Sequence, residues 1–199
     1  MKYAEFDRYT DKNGVLRNKL GAKSDEELDL LESRLVAMNT LSLRLEPIKG
    51  NFDLAHLQKI HHRLFSEIYE WAGELREIGI TKGKTVFAAP NRIQPEFHKL
   101  HQKLISEEFE KYDKATFAKK LAYYLGEINI LHPFREGNGR SQREFIIQLA
   151  LKFNYRLHFQ NVTPEEMIDA SERSSLYVDN RLFEQIIFER LELINKESL

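Results

Sequence analysis

Apolar residues recur at three- and four-residue intervals over most of this chain, the spacing that lays one apolar stripe along a helix and predicts a largely α-helical fold. Ser24, with Glu27 three residues on, has the form of a capping box, and Leu28, Leu31, Leu35 and Met38 then share one helix face, closed by Pro47 and Gly50. Asp53 can cap a second helix with the stripe Leu54, Leu57, Ile60, Leu64 and Ile68, predicted to run to about Trp71 before Gly73. A third helix is expected after Pro95. A fourth should turn Phe117, Leu121, Tyr124, Leu125 and Ile128 inward, and a fifth, starting near Asn138, carries Phe145, Ile146, Leu149 and Phe153. Thr163-Pro164-Glu165-Glu166 opens a sixth, with a cap and a proline at the first helical position. A last helix is predicted over about Asn180 to Asn195. The stretch from Leu75 to Ala89 breaks this period: Ile78, Ile80, Val86 and Phe87 flank Thr81-Lys82-Gly83-Lys84, which reads as a short β-hairpin.

At 199 residues the chain has room for one domain with a real core. Thirty Lys and Arg against 31 Asp and Glu leave a formal net charge of -1, so no global field argues for nucleic acid or an anionic membrane, and any phosphate ligand needs a local site. The absence of cysteine excludes disulfides, zinc–thiolate sites and thiol nucleophiles, and suits a reducing cytoplasm. Met1 to Asp7 lacks the apolar core of a signal peptide, which again predicts a cytoplasmic protein.

The chemistry concentrates in His132-Pro133-Phe134-Arg135-Glu136-Gly137-Asn138-Gly139-Arg140-Ser141-Gln142-Arg143, between two strongly helical segments. Pro133 disfavours helical geometry at His132, so the fourth helix should end there with its imidazole projecting. Gly137 and Gly139 permit positive φ and close approach of a ligand, and the next helix begins with unpaired N–H groups, which makes the turn an anion nest. Arg140 and Arg143 are three apart, on one side of that helix, where two guanidinium groups can clamp phosphates. Glu136 is a hard oxygen ligand suited to Mg²⁺ beside phosphates. A base, a phosphate cradle, a cation clamp and a metal ligand together fit phosphoryl or nucleotidyl transfer. Gly83-Lys84-Thr85 lacks the glycine spacing of a P-loop, and the remaining histidines lack the His-Glu-x-x-His spacing of a zinc protease.

The same stretch resembles the signature of the bacterial Fic family of protein adenylyltransferases: His, any, Phe, any, Asp or Glu, Gly, Asn, Gly, Arg, two of any, Arg. Val15 to Gly21, Ile60 to Phe65 and Trp71 to Arg76 extend the resemblance over roughly residues 3 to 190. It implies an all-α Fic-fold bundle with a small β-hairpin flap, as a single domain over 1–199 with its core at about 53–175, the flap at about 78–88 and flanking helices at both ends. It implies AMP transfer from ATP to a Ser, Thr or Tyr hydroxyl of a target protein, with His132 as general base. Phe134 would anchor the loop, Glu136 would bind Mg²⁺, and Arg135, Gly137, Asn138, Gly139, Arg140 and Arg143 would hold the nucleotide's phosphates. The flap, Ile78, Gly79, Ile80, Thr85, Val86 and Phe87, would pair with the target's backbone. Tyr177 and Asn180, near Ser174, are candidates for the adenine pocket. Alternatives are a relative that moves another phosphate-containing group, against which Gly139 counts, and a non-catalytic nucleotide-binding module, against which His132 counts.

Many relatives carry an inhibitory helix with Ser or Thr, three residues, Glu, then Gly or Asn. Ser42 to Glu46, Ser66 to Glu70 and Ser106 to Glu110 have the spacing but are followed by Pro47, Trp71 and Lys111. The resemblance therefore points to relatives inhibited by a separate small antitoxin protein, with Glu184 and Glu189 as the positions where a divergent internal inhibitor would sit.

Overall fold

The computed structural model describes residues 7–194. Among these residues are seven α-helices, two small antiparallel pairs and a 3-10 turn at Phe109–Lys111: α1 (Asp25–Leu45), α2 (Leu54–Phe65), β1 (Thr81–Lys82), β2 (Thr85–Val86), α3 (Pro90–Ile105), α4 (Lys114–Leu131), α5 (Asn138–Lys152), β3 (Tyr155–Leu157), α6 (Pro164–Tyr177), α7 (Arg181–Glu189) and β4 (Leu191–Leu193). The fold is the expected helical bundle. α4 is its centre, packed by α3, α5, α6 and α7, and Phe117, Leu121, Tyr124, Leu125 and Ile128 are all buried as the period predicts. Gly126 lets α4 approach its neighbours closely, because a Cβ there would lie 2.4 Å from Asn180 Oδ1 and 2.6 Å from Ser174 Oγ. The predicted caps hold: the side chains of Ser24, Asp53 and Thr163 accept from the backbones of Glu27, His56 and Glu166.

Local pattern misplaces several boundaries. α1 buries Leu28, Glu32, Val36 and Leu43, while Leu31 and Leu35 flank the core and Met38 is exposed. The face is rotated because Glu32 points inward to Arg140 and to the Tyr69 hydroxyl, a polar pairing that hydrophobic spacing does not register. α2 stops at Phe65 instead of near Trp71. Gly73, at φ 86°, folds the chain back there: its N–H donates to His61 Nδ1 at 2.8 Å and its carbonyl accepts from Gln58 at 2.8 Å. α3 begins at Pro90, where a missing N–H costs nothing, and accommodates Pro95 internally. The carbonyl that Pro95 leaves unpaired belongs to exposed Asn91. The predicted last helix ends at Glu189, and Leu191–Leu193 instead pairs with Tyr155–Leu157, a contact distant in sequence; Asn195 lies outside the described residues.

Candidate active site

The site is built on the C-terminal end of α4, whose last carbonyls must find donors outside the helix. The Ile128 carbonyl accepts from His132 N at 3.0 Å, the Asn129 carbonyl pairs with His132 Nδ1 at 3.2 Å, and the Ile130 carbonyl accepts from Ala88 N at 3.0 Å. Arg76 takes the next two, donating from Nη2 to Leu131 O at 3.1 Å and from Nε to His132 O at 2.7 Å. His132 itself is left-handed, at φ 46°, with Pro133 barring continuation of the helix. Since a carbonyl can only accept, Nδ1 of His132 carries the proton, and Nε2 is left with a lone pair. Burial pushes the imidazole down to about 3, its bond to Asn129 opposes this, and Arg76 and Lys82 add to it, so the ring is neutral at pH 7. Phe87 stacks on it at 3.7 Å between ring centres.

The loop after His132 is held by its own buried side chains. Asn138 accepts from Phe134 N and donates to Phe134 O, both at 2.8 Å, closing the turn from inside. Phe134 is fully buried and stacks on His61 at 3.9 Å. His61 Nδ1 accepts from Gly73, so its Nε2 carries the proton and donates to the Glu136 carbonyl at 2.9 Å. Burial lowers His61 to about 3 as well, and it stays neutral. Gly137 is at φ 78°, and a Cβ there would come within 2.4 Å of Phe65 Cζ; both the conformation and the space demand glycine.

Between this loop, the hairpin and α6 lies a cavity of about 170 Å³. His132, Glu136, Asn138, Gly139, Gln142 and Arg143 form its floor, where the unpaired N–H groups of the first turn of α5 make an anion cradle. Lys82, Thr85 and Phe87 close one side. Leu125 and Asn129 of α4, Phe183 of α7 and Met167, Ile168, Ser171, Glu172 and Ser175 of α6 form the rest, an apolar slot with a few polar groups. Arg143 makes no ion pair among the described residues, and burial holds it below the usual guanidinium range. Its Nη1 lies 3.3 Å from where a Cβ on Gly139 would stand.

The structure separates the predicted phosphate ligands. Arg143 lines the cavity, whereas Arg140 pairs with Glu32 at 2.6 Å and with Glu136 at 3.5 Å and faces an adjoining groove. Arg135 turns away altogether into a fully buried pair with Asp7 at 2.8 Å, and so does not line the cavity. The Asn138 side chain is spent on the loop, leaving its backbone to the cradle. Of the flap residues, Thr85 and Phe87 line the cavity; Ile80 is buried, Val86 is 72% exposed, and Ile78 and Gly79 lie before the paired residues. Tyr177 is 74% exposed and Asn180 packs on Gly126, so neither forms the slot; α6 does, one turn earlier. The i, i+4 repeat of Met167, Ser171 and Ser175 is the signal that could have found it. Glu189 binds Gln185 and Arg190, and neither it nor Glu184 pairs with Arg143. Sequence reasoning placed Arg76 and His61 within the segments of family resemblance but gave them no role in the site; they touch only backbone and rings.

A neutral imidazole beside an anion cradle and a largely apolar slot outline a site for a phosphate-bearing ligand. The sequence profile of the Fic/DOC family matches residues 51–150, and the chain belongs to that family. It is 41% identical over 167 residues to the protein adenylyltransferase VbhT of Bartonella schoenbuchensis, covering 83% of this chain and 35% of VbhT, so it spans about a third of that relative. To the "Probable protein adenylyltransferase Fic" of Escherichia coli K12 it is 35% identical over 163 residues, covering 81% of this chain and 80% of the relative. The N-terminal Fic domain of a VirB-translocated Bep effector protein from Bartonella quintana, solved with bound ADP, superposes with a TM-score of 0.87 at 30% identity, over 94% of this chain and 95% of that one.

Proposed function

We propose that this chain transfers AMP from ATP to a hydroxyl side chain of a target protein and releases pyrophosphate. The observation that carries the reading is His132, neutral and with Nδ1 on the Asn129 carbonyl so that Nε2 keeps its lone pair, in the floor of a cavity it shares with a helix N-terminus and Arg143. Nε2 takes the proton of a Ser, Thr or Tyr hydroxyl, and the oxygen forms its bond to the α-phosphorus as the bond from that phosphorus to the leaving pyrophosphate breaks. The Gly137–Gly139 backbone and Arg143 hold the phosphates, and their charge raises the imidazole's affinity for the proton when it is needed. The named activity of VbhT and the ADP held by the Bartonella quintana domain support this substrate class.

Glu136 is the one carboxylate of the motif at the cavity, and no cluster of three metal-ligating side chains occurs among the described residues. That donor set fits Mg²⁺: Glu136 would hold the ion beside the phosphates, where it would neutralise their charge. Arg140, paired with Glu136, orients that carboxylate. The hairpin is the docking edge for the target's backbone, with Val86 presented outward. The chain acts as a single domain. Inhibition comes in trans: a separate small antitoxin protein supplies a glutamate to Arg143, through the groove between α1 and α5 that Arg143 also lines. No helix among the described residues is long and apolar enough to cross a membrane, and a cysteine-free, ATP-using chain suits the cytoplasm.

The test is incubation of a cell lysate with the protein, Mg²⁺ and ATP labelled at the α or the γ position. α-label on protein supports AMP transfer; γ-label on protein marks phosphotransfer, and no label with intact ATP binding marks a binding module.

A further inference from the structure

Arg76 is a buried cation, 2% exposed, with no carboxylate partner among the described residues. Burial moves it down to about 10, which leaves it charged at neutral pH. An uncompensated buried charge is costly, so the compensation identifies what the residue is for. Four carbonyls supply it. Nε binds His132 O at 2.7 Å, Nη1 binds Ile78 O at 2.6 Å, and Nη2 is shared between Leu131 O, at 3.1 Å, and Ala88 O. Its own backbone N–H donates to Pro133 O at 2.9 Å. Two of these carbonyls belong to the end of α4 and the general base; the other two belong to the strands' roots on either side of the hairpin. A glycine cap would satisfy the helix end without burying a charge. Only a planar fork with five donors spans both structures at once.

We infer that Arg76 is a positioning residue: it ties His132 to both legs of the hairpin, so that the edge docking the acceptor segment and the base that deprotonates it move as one body. This rests on the function proposed above. Two further contacts run along the same seam, the Ala88 N–H to Ile130 O and the stacking of Phe87 on the His132 ring. A displacement of about 1 Å between base and hydroxyl costs on the order of a hundredfold in transfer.

The experiment compares Arg76→Met and Arg76→Lys with the parent in the full chain, with Mg²⁺ and ATP as ligand. The ¹⁵N resonances of the His132 imidazole report its tautomer, calorimetry reports ATP affinity, and α-labelled ATP reports transfer to protein. In the parent, His132 shows Nδ1–H alone. The expected result in both variants is a mixture of tautomers, ATP affinity within about threefold, and transfer reduced about a hundredfold. Lysine keeps the charge but not the fork, so Arg76→Lys decides the matter if Arg76→Met does not fold. A parental tautomer and parental transfer in a folded variant overturn the inference; so does loss of ATP affinity in step with transfer, the mark of a merely structural role. If the parent transfers nothing, the function fails while the tautomer comparison still judges Arg76.

Discussion

Two segments face the same cavity and are held to different extents. The loop from His132 to Gly139 is fixed at almost every residue: Asn138 clasps Phe134 from inside, His61 supports Glu136, and Phe65 occupies the space a side chain at Gly137 would need. The hairpin has only two residues in each strand and is anchored at its base by Arg76 and Phe87, with Val86 turned to solvent. The loop is preorganised, where small displacements are costly, and the hairpin shares that rigidity at its base, where Arg76 holds it, with its tip exposed. Main-chain pairing at such an edge makes few demands on the partner's sequence.

Four changes test this contrast, beginning with the largest effect. His132→Ala should reduce transfer about 10²–10⁴-fold while ATP affinity, measured by calorimetry, stays within about threefold; a variant that still transfers at the parental rate removes the general base from the mechanism. Gly137→Ala forces a left-handed alanine against Phe65 and should cost about 3 kcal/mol in urea denaturation, with Asn138→Ala close behind. Acid should weaken the rigid loop. His61 is depressed from 6.5 to about 3 in the native state, so its contribution is complete above 6.5 and lost as pH falls towards 3, by up to about 1.4 kcal/mol per pH unit. Denaturation midpoints at pH 7.5, 6 and 5 should fall in that order, and less steeply in His61→Gln. Lys84→Ala or Val86→Ala, at the exposed hairpin, should change stability by less than about 0.5 kcal/mol while altering KM for the protein acceptor; a large loss of stability would show that the hairpin belongs to the rigid part.

What was readable from the chain follows from how local each cause is. The buried face of α4 and the caps at Ser24, Asp53 and Thr163 depend on neighbours within a turn, and they fall where the period and the capping rules put them. The twelve-residue motif was legible because its base, glycines and Arg143 lie together in the sequence as in space. The failures are long-range. Arg135 sits among the residues predicted to bind phosphate, yet its side chain answers to Asp7, 128 positions away. The inward turn of Glu32 depends on Arg140, and β4 exists because β3 offers an edge. Arg76 fell within a segment of resemblance, yet its role was not legible because its partners are carbonyls, which every residue has, so no side-chain pattern marks it.

Gly126 lies outside the cavity, on the seam where α4 meets Ser174 and Asn180. Yet Leu125 and Asn129 of α4 form one wall of the slot and Ser171 and Ser175 of α6 the other. The calibre of this cavity is thus set from behind by a missing methyl group, and a change made to widen it would start at this spacer, not at the lining.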